Sequence, residues 1–263
     1  MHGFCYAVSG RSLRRLLCAP QDDDYTMTKL KVLAAPIAFN EEKKIISVFK
    51  RFEGVTAADK IMLMDDGSTD NTRSVIEGMG YEVLTQAQRK GVGSAIRTLI
   101  YYAIKEGYDV LVILAGNDKD RPIEMTRLIQ PIEDDGYDFV QGSRYLPGGD
   151  FGNMPFYRQL CTRFVHPILF SMISGKKITD STNGFRAIRL SAFKDKRINV
   201  DQNWLDQYEL EPYLFYKFIK LGYKVKEAPV TKIYPPKALG YTKMKPITGW
   251  WSILRPLFIL GLG

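Results

Sequence analysis

The sequence has few of the side chains from which sulfur-based or imidazole-based sites are built. Its 263 residues include three cysteines, Cys5, Cys18 and Cys161, and two histidines, His2 and His166. An odd number of scattered cysteines argues against a disulfide scaffold and indicates a reducing compartment. Two isolated histidines are too few for a metal site built on ring nitrogens. We predict a structural role for His166, which lies in an apolar stretch.

Long apolar runs are also missing. No segment offers the roughly 18 consecutive uncharged apolar residues that a membrane-spanning helix needs. The apolar patch at residues 16–19 is too short for the core of a signal peptide, and an acidic run follows it at residues 21–24. We therefore predict that residues 1–28 form a flexible extension, with Met27 as an alternative start.

Positive charge is concentrated in the last third of the chain. The net charge is +8, and residues 176–263 hold 16 Lys and Arg against 7 Asp and Glu. This asymmetry indicates an anionic partner, namely phosphate groups, an anionic membrane surface or nucleic acid. The 45% apolar content is enough for the core of one large domain.

Strand-like and helix-like segments alternate from residue 29 to about residue 145. Strands are predicted at residues 29–35, 60–64, 81–85, 110–114 and 139–141, with helices between them. The order β-α-β-α-β-α-β-α-β predicts an α/β fold with a mostly parallel sheet and helices on both faces. The helix after the fourth strand is predicted at residues 122–130. Later helices are predicted at residues 156–173, with a bend at Pro167, and at residues 213–221.

Two adjacent carboxylates, Asp65 and Asp66, follow the second predicted strand. In open α/β sheets, ligands bind just beyond the carboxyl ends of the strands. A carboxylate at this edge can accept hydrogen bonds from a nucleobase or from ribose hydroxyls. The alternative is a solvated Asp-Gly turn, which is common in proteins.

Asp118 and Asp120 follow the strand at residues 110–114 and can approach one ion in an extended turn. A hard cation such as Mg²⁺ or Mn²⁺ prefers carboxylate and phosphate oxygens and would bridge a diphosphate. The alternative is a charged surface turn.

The segment Gly91-Val92-Gly93 opens a predicted helix. Its backbone N–H groups would approach a phosphate, or its glycines would allow close helix packing. Three later polar segments also leave two interpretations open. Residues 179–186 form an acceptor site or a turn before the next strand. In residues 204–211, Glu209 or Glu211 is a base or orients a hydroxyl. The basic loop with Lys237, Thr242 and Lys243 receives a phosphate or is a solvated face.

In chain order, these segments resemble those of the inverting GT-A glycosyltransferases of family 2. Within that family they look most like the dolichol-phosphate mannose synthase branch, the polyprenyl-phosphate glycosyltransferases. The matching motifs are Ala38-Phe39-Asn40-Glu41-Glu42, Asp65-Asp66-Gly67-Ser68-Thr69-Asp70, Gly91-Val92-Gly93-Ser94-Ala95, Gly116-Asn117-Asp118, Gly142-Ser143-Arg144, Asn183-Gly184-Phe185-Arg186 and Glu227-Ala228-Pro229-Val230.

The resemblance implies a Rossmann-like GT-A domain over residues 29–245 and roles for individual residues. The donor, a nucleoside diphosphate sugar such as GDP-mannose or a UDP-sugar, would be bound by Ile37, Phe39, Glu41, Asp65, Asp66 and Asn117. Asp118, with Asp120, would bind Mg²⁺ or Mn²⁺. The catalytic residues would be Asp118, Arg144 and Arg186, and the acceptor phosphate would lie on Lys237, Thr242 and Lys243.

Two departures from the family pattern bear on this assignment. Gly116 stands where the family has the first Asp of its metal motif, and Lys237 stands where it has an arginine. Lysine keeps the charge but loses the bidentate fork of arginine. The Gln-x-x-Arg-Trp motif of processive synthases is absent, which argues against polymer synthesis.

The acceptor that the resemblance implies is a polyprenyl or dolichyl phosphate, whose oxygen would attack the anomeric carbon. If the acceptor were a sugar hydroxyl, a base would be required, and Glu209, Glu211 or Asp180 would supply it. The apolar tail at residues 246–263 is predicted to be an interfacial helix or a terminal helix packed on the domain. We expect peripheral attachment at the cytoplasmic face of a membrane.

Two other function classes compete with this interpretation. One is a nucleic-acid-binding protein in which Tyr213, Tyr216 and Tyr223 stack on bases. The other is an inactive nucleotide-binding homologue, which Gly116 suggests. We expect no nucleic-acid partner, because the acidic strand ends would repel phosphates.

Overall fold

A seven-stranded sheet in the order β3-β2-β1-β4-β6-β5-β7 forms the centre of the molecule. The computed structural model describes residues 29–234 and 248–262. All strand pairs are parallel except those of β6, which runs antiparallel to β4 and β5. The strands are β1 (Val32–Ala38), β2 (Lys60–Asp65), β3 (Glu82–Thr85), β4 (Val110–Ala115), β5 (Phe139–Ser143), β6 (Arg186–Arg189) and β7 (Val225–Pro229).

Helices cover both faces of the sheet, as the sequence predicts. They are α1 (Glu42–Lys50), α2 (Thr72–Gly78), α3 (Val92–Lys105), α4 (Met125–Asp135), α5 (Phe156–Leu160), α6 (His166–Ser174), α7 (Leu210–Lys220) and α8 (Thr248–Leu262). One core joins α3, α6, α7 and α8 to the sheet, and the other joins α1, α2 and α4 to the opposite face. Alternate residues of β4 enter the two cores, with Leu111 in the first and Val112 in the second.

The first strand lies three residues later than predicted. Side-chain carboxylates take the N–H groups where β1 begins: Asp109 accepts from Lys31 N and Asp59 accepts from Val32 N. Strand pairing continues to the pair Ile37 and Ala115. The sequence prediction also missed β6 and β7, because four- and five-residue strands among polar residues show little periodicity.

Prolines mark helix boundaries less strictly than predicted. Helix α4 passes through Pro131 and ends at Asp135, before Gly136 in the left-handed region. Residues 156–174 form one continuous helical segment in which a π-helical turn, Cys161–Val165, joins α5 to α6. The turn lies directly before Pro167, which has no N–H to donate to the preceding turn. Where the sequence predicts a bend, the structure therefore has a local change from α-helical to π-helical hydrogen bonding.

Helix α8 packs on the domain. Leu257 is buried in the core that contains α7, Tyr216 Oη donates to Leu260 O at 2.9 Å, and His166 Nε2 lies 3.1 Å from Ile253 O. This is the second of the two arrangements predicted for the tail. No helix within residues 29–234 or 248–262 is long and apolar enough to cross a membrane. The predicted extension at residues 1–28 lies outside the described residues.

Candidate functional site

A cavity of about 320 Å³ opens at the carboxyl ends of β1 and β4. Strand β1 contributes Ile37 and Ala38, and β4 contributes Ile113, Leu114 and Ala115 to its wall. These strands are hydrogen-bonded neighbours. The chain continues from β1 to β2 on one side of this pair and from β4 to β5 on the other side. The cavity therefore lies where open α/β sheets bind their ligands.

Five of the six predicted donor-binding residues line this cavity: Ile37, Phe39, Glu41, Asp66 and Asn117. The guanidinium of Arg89 lies 4.2 Å from the centre of the Phe39 ring and also lines the cavity. A stacked cation and ring of this kind provides a flat surface that suits a nucleobase or a sugar.

The paired carboxylates Asp65 and Asp66 point in different directions. Asp65 is 1% exposed and accepts from Ser68 N at 3.0 Å, so its carboxylate closes its own turn. Asp66 lines the cavity and accepts from the backbone N–H groups of Lys90 and Gly91 at 3.0 and 3.1 Å. Burial raises the pKa of Asp66, and these two hydrogen bonds oppose that effect. Asp65 is thus the predicted donor ligand that the described structure keeps away from the cavity.

The Gly-x-Gly segment serves packing in this structure. The N–H of Gly91 is directed to Asp66, and the N–H of Ser94 donates to Asp206 O at 3.1 Å. A Cβ at Gly93 would lie 1.9 Å from Leu205 O, so the start of α3 can approach this loop only because residue 93 is glycine. Of the two predicted roles, close helix packing is the one observed.

Four basic side chains form a cationic wall on one side of the cavity: Lys44, Lys119, Arg158 and Lys232. Lys44 pairs with Glu41 at 2.9 Å, and Lys232 pairs with Asp120 at 2.6 Å. These six side chains together carry an excess of two positive charges. Such a wall attracts an anionic ligand.

Lys119 is the most deeply placed cation of this wall, with 5% of its surface exposed. Burial, followed by the charges of Lys232, Arg158 and Lys44, lowers the pKa of Lys119 to about 7, and Asp120 partly opposes this shift. An anion in the cavity would offset both effects and favour the charged form of the lysine.

Arg144 lines the cavity and is held from behind by Asp180. Burial alone would lower the pKa of Arg144, but the charge and the hydrogen bonds of Asp180 raise it above its ordinary value. Asp180 is fully buried, also accepts from the backbone of Arg144 and Thr182, and does not line the cavity. Asp180, predicted as a possible base, therefore positions Arg144.

Arg186 lies behind the cavity wall. Its guanidinium is 1% exposed and donates to Glu211 O at 3.1 Å and to Glu211 Oε1 at 3.0 Å. Glu211 itself lines the cavity, whereas Glu209 is buried away from it, 3.8 Å from Arg255 of α8. Burial raises the pKa of Glu209. Of the predicted bases Glu209, Glu211 and Asp180, the fold brings only Glu211 to the cavity.

Comparison with known proteins decides the family. The family model described as Glycosyl transferase family 2 matches residues 37–196, which is more than half of the chain. The chain belongs to glycosyl transferase family 2. The predicted family and the predicted fold class of this glycosyltransferase are thereby confirmed.

Curated relatives of this family 2 glycosyltransferase are named for transfer to lipid phosphates. A UDP-N-acetylglucosamine–dolichyl-phosphate N-acetylglucosaminyltransferase from Methanococcus voltae is 31% identical over 78% of this chain and 86% of the relative. A polyprenol monophosphomannose synthase from Mycolicibacterium smegmatis is 27% identical over 78% of each chain. The glucosyl-3-phosphoglycerate synthase of Mycobacterium tuberculosis, solved with Mn²⁺, UDP and glucosyl-3-phosphoglycerate, superposes with a TM-score of 0.60 at 17% identity, over 88% of this chain and 78% of that one.

The carboxylates of this glycosyltransferase do not fit a divalent metal site. Asp118 has a positive φ of 64°, pairs with Arg51 at 2.8 Å and does not line the cavity, although its neighbours Asn117 and Lys119 do. Asp120 is 4% exposed, and its two oxygens accept from Lys232 Nζ and from Ala115 N. Among the described residues, no three His, Cys, Asp or Glu side chains come together as metal ligands.

The missing carboxylate at residue 116 has a steric cause. A Cβ at Gly116 would lie 2.8 Å from both Ile37 O and Ala38 Cβ, because Gly116 N donates to Ile37 O at 2.8 Å. Any side chain at this position would push β1 and β4 apart. The β4 loop is thus built without the first Asp of the family motif.

Five cavity cations were missed in the sequence prediction: Lys44, Arg89, Lys119, Arg158 and Lys232. Lys119 stands between the two aspartates that were interpreted as a metal site. The segment 156–174 is largely apolar but holds Arg158 and Arg163, and cations in such a segment are a signal that could have identified Arg158. The predicted acceptor residues Lys237, Thr242 and Lys243 lie outside the described residues and stay a prediction.

Of the aromatic side chains proposed for nucleic-acid stacking, Tyr213 is buried, and Tyr216 and Tyr223 are half-buried against the core. Tyr213 is 2% exposed with its ring edge-on to Trp204, Tyr216 donates to Leu260 O, and Tyr223 packs on Phe218. These contacts argue against the nucleic-acid-binding interpretation, because the three rings do not form a surface on which bases could stack.

Proposed function

We propose that this protein is an inverting glycosyltransferase that moves a hexose from a nucleoside diphosphate sugar to a polyprenyl or dolichyl phosphate. The names of the curated relatives support this substrate class. The observation that carries the proposal is a property of the helical segment 156–174. One side of this segment supplies Arg158 and Thr162 to the cavity, and the other side is exposed and apolar.

The apolar side is unusually large for a protein surface. Phe156 is 78%, Met172 73% and Ile168 56% exposed. The other exposed apolar residues of the segment are Tyr157, Leu160, Phe164, Val165 and Leu169. Contiguous exposed apolar surface of this kind is typical of protein or membrane contacts.

A lipid phosphate matches both sides of this segment. Its apolar chain would stay in the bilayer against the exposed side chains, while its phosphate would reach Arg158 in the cavity. Exposed Arg163, whose guanidinium lies 5.5 Å from the Phe164 ring, suits the anionic headgroups at the same surface. Trp251 and Phe258 of α8 are also exposed and stack 6.1 Å apart, so α8 would add to the contact. We infer peripheral attachment to the cytoplasmic face of a membrane.

The reaction would need positive charge more than a base. A phosphate monoester has a second pKa near 6, so its oxygen is anionic at pH 7 and can attack the anomeric carbon directly. Arg144, fixed by Asp180, and Arg158 would hold this phosphate beside the donor and reduce the repulsion between two anions. Attack from the side opposite the leaving diphosphate would invert the anomeric configuration.

A sugar hydroxyl is the second candidate acceptor, and the position of Glu211 in the cavity favours it. A hydroxyl must lose its proton to become a good nucleophile, and a carboxylate can accept that proton. In this case Glu211 would be the base, and its ion pair with Arg186 would hold its side chain in position.

The purified chain should be incubated with GDP-mannose, UDP-glucose or UDP-N-acetylglucosamine and with dolichyl phosphate, undecaprenyl phosphate or free sugars. We expect a hexosyl phosphate lipid, identified by mass spectrometry, with inverted anomeric configuration. Arg158→Met should raise KM for the lipid phosphate, whereas Arg127→Met, on the exposed side of α4, should not. Transfer to hydroxyl acceptors alone would contradict the proposal and favour the second candidate.

A further inference from the structure

The loop after β4 presents a lysine to the cavity where the family motif has its metal ligands. Lys119 lines the cavity, whereas the adjacent Asp118 is paired with Arg51 and Asp120 with Lys232. The charge that faces the ligand at this point is therefore positive. A bound diphosphate would meet ammonium groups where the family motif would offer carboxylates.

Lys119 in this loop and Lys232, which follows β7, are both held in place by contacts with other residues. Lys119 O accepts from Ile233 N at 3.0 Å, and its ammonium lies 4.6 Å from the centre of the Tyr234 ring. Lys232 is 9% exposed and is fixed by Asp120, which bridges to it across an antiparallel backbone pair. Little conformational freedom remains to be lost when an anion binds.

On the basis of the proposed function, we propose that Lys119 and Lys232 bind the diphosphate of the sugar donor directly, so that this enzyme works without a divalent cation. Lysine is a common ligand of phosphate oxygens. The assignment to the donor is supported by the lining of the cavity, because Lys119 shares it with Phe39 and Asp66, which are predicted to bind the donor.

The charge that the lysines would neutralise develops during the reaction. An oxygen of the acceptor phosphate forms a bond to the anomeric carbon, and the bond from that carbon to the diphosphate oxygen breaks. The electron pair of the broken bond stays on the diphosphate, which leaves with additional negative charge. Fixed ammonium groups in a buried wall stabilise this charge without reorganising, and no proton has to move.

The first test measures binding without catalysis. GDP, UDP and inorganic pyrophosphate should be titrated into the purified chain by calorimetry, in EDTA and in Mn²⁺. Pyrophosphate isolates the contribution of the diphosphate from that of the base. We expect each Kd to agree within about twofold between the two conditions, and Lys119→Met to weaken binding by roughly 10- to 100-fold, as expected for loss of a charged hydrogen bond.

The controls separate charge from folding and from metal binding. Lys119→Met keeps the length of the buried stem, and an unchanged melting temperature shows that it folds, while Lys119→Arg should recover part of the affinity. Lys50→Met, at the exposed end of α1, should bind like the wild type. Asp118→Asn should not change the Kd in either condition.

Three outcomes would overturn the inference. Binding or transfer that EDTA abolishes and Mn²⁺ restores would show that a metal is required, as would an Asp118→Asn variant that loses this response. Lys119→Met with an unchanged nucleotide Kd but a raised KM for lipid phosphate would assign the lysines to the acceptor. If nucleotides bind as expected but no hexose reaches any lipid phosphate, the proposed function fails while the metal-free diphosphate site stands.

Discussion

Arg144 and Asp180 form a bidentate ion pair behind the cavity, with Nε to Oδ2 at 2.6 Å and Nη2 to Oδ1 at 2.8 Å. Both side chains are almost completely buried. Removing one partner of a buried pair leaves an uncompensated charge and costs about 3–5 kcal/mol. The pair therefore fixes an arginine whose guanidinium would otherwise be expensive to bury.

We expect Asp180→Asn to lower the free energy of unfolding by about 3 kcal/mol, measured by urea denaturation. The control Asp134→Asn, at an exposed position of α4, should unfold like the wild type. A variant that keeps full stability but loses activity by roughly 10²- to 10⁴-fold would instead make Asp180 a general base.

Gly116→Asp restores the family motif in sequence but should not create a metal site. Its Cβ would lie within 3 Å of Ile37 O and Ala38 Cβ, so β1 and β4 must separate. We expect a loss of about 1–3 kcal/mol in unfolding free energy, typical of overpacking, and no gain in Mn²⁺ affinity by calorimetry. Gly54→Asp, whose Cβ would meet no neighbouring atom, is a control for adding a carboxylate, although its positive φ adds some strain. A stable Gly116→Asp variant with tight Mn²⁺ binding would refute this steric explanation.

Glu211→Gln separates the two candidate acceptors. With a lipid phosphate acceptor, kcat should fall by less than about tenfold, because the phosphate oxygen needs no base. Glutamine keeps an oxygen that can accept from Arg186. Glu209→Gln, whose side chain lies outside the cavity, should keep the wild-type pH–rate profile. A fall of roughly 10²-fold or more in Glu211→Gln, with loss of the lower limb of the pH–rate profile, would establish Glu211 as a base.

His166 should make the fold sensitive to acid. Burial lowers the pKa of His166 to about 4, and its hydrogen bond to Ile253 O and the charge of Asp180 only partly oppose this. The unfolded chain, with a pKa near 6.5, then binds the proton more readily than the folded protein between pH 6.5 and pH 4. The contribution of His166 is complete above pH 6.5 and is lost as the pH falls, by about 3 kcal/mol at pH 4.

The comparison of wild type with His166→Gln by urea unfolding between pH 7 and pH 4.5 checks this expectation. The buried acids Asp66, Glu209 and Glu227 have raised pKa values and change stability in the opposite direction. They are present in both proteins, so the difference between the two curves reports His166. Parallel curves would mean that folding leaves the pKa of His166 unchanged and would contradict this expectation.

The exposed side of the helical segment 156–174 should bind lipid vesicles. Replacing Ile168 and Met172 by serine should weaken binding to anionic vesicles by roughly 30-fold in a sedimentation assay, since each side chain gives up about 1 kcal/mol of apolar contact. The double control Ile46→Ser with Ile123→Ser removes equally exposed apolar side chains elsewhere. Equal binding by both double variants would move the membrane contact to another surface.

The sequence by itself determined the alternation of strands and helices and the family. Apolar periodicity is local, and so are the residues that end a strand or begin a helix, which is why β2, α3 and β4 lie where they were predicted. The motifs at Asp66 and Asn117 could also be placed at the cavity, because strand ends in a parallel sheet share one edge.

Only the tertiary structure decided which charges face the ligand. Asp118 is turned to Arg51, more than sixty residues earlier, and Asp120 to Lys232, more than one hundred residues later. Such pairs form when the sheet order brings distant segments together, and spacing along the chain carries no information about them. Burial then fixed each of these pairs, because a buried charge must be paired, and Lys119 is the charged residue of the β4 loop that lines the cavity.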